Sequence, residues 1–587
     1  MALTRRGWMA AAAGLATTPA LAAAASQADG RVRFAHGPVP ELAPVSELPV
    51  RIEIISRGDH DYGPALRALT AYARAELRSQ GLPGMTLAVT DLDGFAATVG
   101  IGWADRERRR PVGPNHRFQI GSISKSFIAL TVLSLVDEGR FHLDDRAAHL
   151  LPEAPWPDAP ITLAHLLSHV SGLPDGAPVF PRTPDGRLWS GFPLGSRFSY
   201  SNTGFELIGR MIERATGMPH QKAVDRQVRD KLGLGAMTGV IDQARRSEFA
   251  VGYWPWDQVD AGGELPKGRL ETAYWTPEDT PAGSIGATSG EMAVYLRALT
   301  RFARGHGGSV LSDASALRFA TPVIAAKDFG PGARYALGVA VAPVEGEDCL
   351  HHTGGMMSFS SSFHADPGAG VACFASVNAR LGPYRPRVTT SYAVRLLRAA
   401  RRGQPLPAAP DPLAPFRVKT AEDWAGRYVG PKDALRLVAT PFGLAVRTDD
   451  GAARATPQGA DRIATDHPHF SRYGFDAVRE GGRITALWWG DRLYGREEPR
   501  AQPTAAESLK PLIGVYLCRD PWVGGAEVLA RGGELVVEGG GTIKDRGGWW
   551  STTDDPGGVE RLRFEAPMNG VMRRCNASGA DMLRLTV

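Results

Sequence analysis

Phe118-Gln119-Ile120-Gly121-Ser122-Ile123-Ser124-Lys125 runs from a strand-like apolar triplet into an apolar helix that continues to Asp137. Residues three apart share a helix face, so Ser122 and Lys125 point the same way. Ser122 also stands at a helix N-terminus, where the backbone field favours developing negative charge. Taken alone, Ser-x-x-Lys reads equally as a helix cap followed by a surface lysine. Its company raises it. Phe198-Ser199-Tyr200-Ser201-Asn202 sets Tyr-x-Asn in a polar turn before an apolar helix beginning near Phe205. By itself that motif too is what a helix cap looks like, with Asn202 closing the end. His352-Thr353-Gly354-Gly355 then ends an apolar strand. The three motifs in this order are far more specific than any one of them.

Working outward, Pro/Gly punctuation divides the chain. A block over residues 50–400 opens with a helical period at Pro64–Gln80 and strand-like runs at Met85–Asp91 and Phe95–Trp103. It closes with strands at Leu350–Thr353, Phe359–His364 and Val371–Val377. Strands at both ends with helices between predict one antiparallel sheet flanked by helices, an α+β domain. Residues 401–417, with Pro405, Pro407, Pro410, Pro412 and Pro415, read as a stiff linker. Beyond it, short alternating strands with Gly-rich turns occur twice. Gly426, Gly443, Phe475 and Asp491 are echoed by Gly514, Gly533, Phe564 and Asp581, at offsets of 88, 90, 89 and 90 residues. A steady offset predicts two copies of one all-β, barrel-like unit, over residues 418–497 and 508–587.

The 587 residues exceed what one hydrophobic core organises. Hydrophobic residues at 43% and charged residues at 22% describe an ordinary folded protein. The formal charge of +5 falls to +3 without Arg5 and Arg6, and no basic block appears, so nucleic acid is not an expected partner. Arg5-Arg6 precedes a weakly apolar, alanine-rich run, and Ala20-Leu21-Ala22 supplies small residues for cleavage. Residues 1–25 therefore read as a twin-arginine signal peptide, and the expected location is periplasmic or secreted. No stretch is long enough for an integral membrane span. Of the four cysteines, Cys349 and Cys373 sit in apolar strands, as buried thiols do. An oxidising compartment would permit a bond between Cys518 and Cys575.

At the three motifs the chain resembles the serine β-lactamase and penicillin-binding superfamily, in particular its D-aminopeptidase, esterase and class C branch. The stretches Ile161–Pro174 and Pro281–Ile285 resemble that family's connecting segments. A catalytic domain followed by two small barrels is similar to the D-aminopeptidase architecture. The resemblance implies Ser122 as nucleophile, activated by an adjacent base. It implies Lys125 as that base, provided that burial lowers its pKa, and Tyr200 as proton donor to the leaving group. Asn202 would orient Lys125 and the substrate amide. The backbone N–H groups of Ser122 and Gly355 would form the oxyanion hole, with Thr353, Gly354 and Gly355 lining the substrate.

His352 stands where many relatives have lysine. A neutral imidazole supplies no permanent charge for a substrate carboxylate, which favours substrates without one near the scissile bond. The expected activity is acyl-enzyme hydrolysis of amide or peptide bonds in small or D-amino-acid-containing substrates. Esterase or β-lactamase/D,D-peptidase activity is the alternative within the family. A penicillin-binding sensor that never deacylates is the alternative outside enzymes. No cofactor is expected. His165 and His169, four apart, lack the glutamate of a zinc helix, and no metal is expected. His467 and His469 read as solvated, and Trp488, Trp489, Trp549 and Trp550 as barrel core. The oligomeric state is left open.

Overall fold

Strands whose alternate residues enter two different cores build the first domain. The computed structural model describes residues 48–255, 270–380, 384–412, 417–441, 443–520, 524–552 and 558–585; the signal-peptide reading of residues 1–25 lies outside them. Strands β1 (Val50–Ser56), β2 (Gly84–Asp91) and β3 (Ala96–Asp105) come from the start of the domain. Strands β4 (Ala340–Val344), β5 (Glu347–Gly355), β6 (Ser360–Asp366) and β7 (Val371–Val377) come from its end. They join in one ten-stranded antiparallel sheet, in the order β1-β3-β2-β7-β6-β5-β4, completed by three two-residue strands.

Central strands β2 and β7 are buried along their whole length, as strands covered on both faces must be. Met85, Leu87, Val89, Cys373 and Ala375 face a core shared with α1 (Gly63–Gln80) and the C-terminal helix of the domain, Arg387–Arg401. Ala88, Ala372 and Phe374 face the opposite core. Through that second core runs α2 (Ser124–Asp137), buried from Ser124 to Leu135. A helix apolar on all sides belongs inside a domain, and it carries Lys125 into the interior.

Two closed eight-stranded antiparallel barrels follow, Gly426–Arg496 and Gly514–Arg584. Equivalent tyrosines brace both: Tyr428 Oη donates to Trp424 O at 3.0 Å and Tyr516 Oη to Leu512 O at 2.9 Å. Each barrel closes by pairing its first strand with its last, Tyr428 against Arg496 and Tyr516 against Arg584. The α+β class and the duplicated barrel are thus the fold that the sequence pattern predicts.

Three local readings change. His467 is buried, with Nε2 3.1 Å from Thr448 Oγ1, because its loop packs against the barrel core through Phe470; His469 alone is exposed, 2.7 Å from Asp433. Trp489 fills the first core and Trp550 packs on the second, but Trp488 and Trp549 lie beneath the guanidinium groups of Arg531 and Arg561. All four cysteines are free thiols, Cys575 buried within the second barrel and Cys518 half-buried.

The second barrel docks against the helical side of the first domain. Trp189 Nε1 donates to Val559 O at 2.8 Å, Arg182 pairs with Asp581 at 2.9 Å, and Asn576 Nδ2 donates to Arg182 O at 3.0 Å.

Candidate active site

A cap sets the position of the second motif. Ser201 Oγ accepts from Gly204 N at 3.0 Å, so α3 (Asn202–Thr216) starts at Asn202, a turn earlier than its apolar period begins. Asn202 therefore points from a fixed first turn toward α2. Its Nδ2 donates to Asp175 Oδ1 at 2.8 Å and its backbone N–H to the same oxygen at 2.9 Å. That assignment turns Asn202 Oδ1 toward Lys125 Nζ, 2.6 Å away.

Lys125 is fully buried and has three polar neighbours: Asn202 Oδ1, Ala282 O at 2.8 Å and Ser122 Oγ at 3.1 Å. An amide oxygen and a backbone carbonyl only accept, so both require an N–H from Lys125. A neutral amine meets both with its two N–H groups and accepts from the Ser122 hydroxyl with its lone pair, whereas an ammonium donates to all three oxygens, Ser122 Oγ included. Burial pushes the Lys125 pKa from 10.5 down to about 7, against the opposing pull of Asp175 and Glu206. Tyr200 completes the cluster. Burial pushes its pKa far up, so it stays a phenol, while a hydrogen bond with Ser122 opposes the shift. Its ring lies 4.9 Å from Lys125 Nζ.

The third motif meets the first at backbone distance. Gly121 has φ +56, in the left-handed region, and a Cβ there would stand 2.6 Å from Gly355 N. A Cβ on Gly354 would stand 1.8 Å from Ile120 O. Ser361, opposite Gly354 in register, locks the approach by donating to Ile120 O at 2.7 Å. Thr353, Gly354 and Gly355 thus form an edge directly alongside Ser122.

A family model for beta-lactamase matches residues 69–397. The chain belongs to the beta-lactamase family. Penicillin-binding protein 4 of Amycolatopsis lactamdurans is 30% identical over 257 residues, 40% of this chain and 64% of that protein. D-aminopeptidase of Cereibacter sphaeroides strain ATCC 17023 is 25% identical over 460 residues, 75% of this chain and 80% of that protein. Among solved structures, the octameric penicillin-binding protein homologue from Pyrococcus abyssi superposes with a TM-score of 0.52 at 22% identity, over 73% of this chain and 99% of that one. That last likeness concerns the fold.

Within this family domain His352 is close to the cluster but has no free nitrogen. Nδ1 lies 2.6 Å from Thr353 O and Nε2 lies 3.0 Å from Tyr335 Oη. A carbonyl can only accept, so Nδ1 carries the proton and Nε2 accepts from Tyr335. Burial and nearby Lys125 push the His352 pKa down to about 3. The imidazole is neutral, as its type suggests, but it props the wall behind Tyr200, its ring centre 6.3 Å from that of Tyr200.

Several participants carry no motif signal. Asp175 holds Asn202 and is itself held by the second barrel, whose Glu560 Oε1 accepts from Asp175 N at 2.7 Å. Glu206 bonds Thr280 and faces Lys125. His169, just past the short helix Leu163–Leu167, accepts from Ser201 N at 3.0 Å and lies 4.3 Å from the Tyr200 ring; burial and Lys125 keep it neutral. Its companion His165 caps its own helix through Thr162. Arg385 stands so close to Gly355 that a Cβ there would meet its guanidinium at 2.3 Å, and its charge reaches Tyr200. Of the residues around Lys125 outside the three motifs, Ala282 lay within a stretch that the sequence signalled, Pro281–Ile285, as did His165 and His169 within Ile161–Pro174.

Among the described residues one grouping, His60, Asp91 and Asp93, brings three metal-type ligands together. Its carboxylates are already engaged by Arg401 and Tyr62.

Proposed function

We propose that the chain is an acyl-transfer serine hydrolase cleaving amide or peptide bonds of small substrates that contain D-amino acids. The observation that carries this reading is the buried Lys125 amine, 3.1 Å from Ser122 Oγ and held by Asn202 Oδ1 and Ala282 O, with burial lowering its pKa to about 7.

In this mechanism Ser122 Oγ attacks the substrate carbonyl carbon as its proton passes to Lys125 Nζ. The N–H groups of Ser122 and Gly355 receive the oxyanion. Tyr200 gives its phenolic proton to the leaving nitrogen as the C–N bond breaks, and recovers one from Lys125. Water then attacks the acyl-Ser122 ester with the same groups reversing roles. The D-configuration rests on likeness to the D-aminopeptidase of C. sphaeroides over three quarters of this chain. The second barrel supports the reading too, because it touches the Asp175–Asn202–Lys125 series through Glu560.

One observation favours a second reading. Arg385 offers near Gly355 the positive charge that His352 lacks, which suits a substrate carboxylate and hence D,D-peptidase or β-lactamase action. A screen of amides and p-nitroanilides differing only in D or L configuration and in a free or blocked N-terminus, beside an ester and a cephalosporin, separates these activities. Fastest turnover of a D-amide with a free N-terminus is expected. Preference for the cephalosporin or a carboxylate-terminated D,D-peptide would install the second reading. A stoichiometric burst without turnover would make the protein a sensor.

A further inference from the structure

Strand β1 ends the large sheet, paired with β3 and with no other strand among the described residues. Val50, Ile52 and Ile54 on one of its faces are 36%, 46% and 41% exposed. A bare apolar edge is a template for another strand, and folded proteins usually blunt it with lysine, proline or a cover. This edge carries Arg51 and Glu53 instead, one charge of each sign. Neither side chain makes a hydrogen bond or ion pair among the described residues.

The backbone phase of the edge follows from two hydrogen bonds. Gly102 N donates to Pro49 O at 2.8 Å, so residues 49, 51 and 53 turn their backbone groups toward β3. Residues 50, 52 and 54 turn theirs outward. The far side of β3 agrees, since Trp103 N donates to Pro83 O beside β2 at 2.8 Å.

We propose that β1 is the interface of a homodimer, in which two copies pair their β1 strands antiparallel about a two-fold axis through Ile52. The sequence Val50-Arg51-Ile52-Glu53-Ile54 is self-complementary about that point. Ile52 falls opposite Ile52, Val50 opposite Ile54, and Arg51 opposite Glu53 twice over, as an isologous interface requires. The same register brings the outward backbone groups of residues 50, 52 and 54 into reciprocal hydrogen bonds. Arg51 and Glu53 then occupy non-hydrogen-bonded positions, where cross-strand Cα atoms approach to about 4.5 Å and side chains couple most strongly. Moving the axis to Arg51 or to Glu53 sets like charges opposite each other. Moving it between residues sets a charge opposite an isoleucine. Charge pattern and hydrogen-bond phase therefore select one register.

Sedimentation velocity of the full mature chain at about 50 µM, a concentration suited to a small interface, reads the outcome. A dimer is expected. Arg51→Glu and Glu53→Arg alone each turn two attractive pairs into two repulsive ones and should raise the dissociation constant about tenfold or more. Mixing these two variants, or combining both changes in one chain, should restore the dimer. Ile52→Pro should give a monomer with an unchanged melting curve, because proline is tolerated where a strand N–H faces outward. A monomeric wild type would overturn the proposal. So would an oligomer whose dissociation constant is the same in the single-charge variants and in their mixture.

Discussion

Lys125 is where composition, packing and chemistry meet. A lysine on an otherwise apolar helix costs desolvation, and the fold answers with two carbonyl-type acceptors and a hydroxyl rather than with a direct carboxylate contact. Because its folded pKa is depressed from 10.5 to about 7, the folded chain binds fewer protons than the unfolded chain between those values. The stability cost of burying this group is therefore full below about pH 7 and is relieved as pH rises toward 10.5. Catalysis shares that threshold. The profile of kcat/KM should rise through about pH 7 as Lys125 becomes a base, with no step between pH 5 and 6 from His352, which is already neutral there. A profile flat from pH 5 to 9 would remove Lys125 from the base role. Gly354 is equally exacting. Gly354→Ala puts a methyl group onto the Ile120 carbonyl and should cost about 3 kcal/mol as overpacking, with turnover lost in step. Thermal denaturation and assay of the same preparation check both effects.

Between elements, the telling contact is Glu560 on Asp175. The acceptor comes from the second barrel, yet it fixes a loop that holds Asn202 and, through it, the amine of Lys125. Glu560→Ala leaves the Asp175 N–H without this acceptor and should lower kcat about tenfold, close to the roughly 1.5 kcal/mol of one charge-assisted hydrogen bond. Glu560→Gln keeps an acceptor oxygen and should fall between. Equal activity in all three proteins would reduce the contact to mere docking. This element also shows what sequence could tell. Ser122 with Lys125, Tyr200 with Asn202, and the Thr353–Gly355 edge were legible because each lies within one turn or strand, where spacing alone fixes relative direction. Asp175, Glu206 and Glu560 were not. Asp175 sits in a loop, Glu560 in another domain, and Glu206 on α3 one turn after Asn202 with no motif to mark it; only the closed fold brings them to Lys125. His352 was legible as a neutral group, but the hydroxyl of Tyr335 that occupies its Nε2 comes from a two-residue strand two places along the sheet. The barrels were visible because duplication repeats landmarks. The fates of their tryptophans depend on Arg531 and Arg561, which no period in the sequence announces.

At the scale of the molecule, the first domain holds the cluster of Ser122, Lys125 and Tyr200, and the second of the two barrels that follow reaches Asp175 through Glu560. No helix among the described residues is long and apolar enough to cross a membrane. We propose twin-arginine export, on the strength of Arg5 and Arg6. Replacing both by lysine should retain the protein in the cytoplasm, and normal export of that variant would mark the segment as an ordinary secretory signal. Between the barrels, Arg472 pairs with Glu527 at 2.9 Å and Arg531 with Asp476 at 2.8 Å, so the second barrel is tied to the first barrel as well as to the first domain. We propose that this whole assembly presents one nucleophile, Ser122. The most direct measurement is hydrolysis of a D-amino acid p-nitroanilide by the wild-type chain and by Ser122→Ala, with circular dichroism on the same samples. The wild type should turn over, and a folded Ser122→Ala should lose at least about 10⁴-fold in kcat, as removal of an irreplaceable nucleophile does. A folded Ser122→Ala protein that still hydrolyses the substrate at a rate near the wild type would contradict the account.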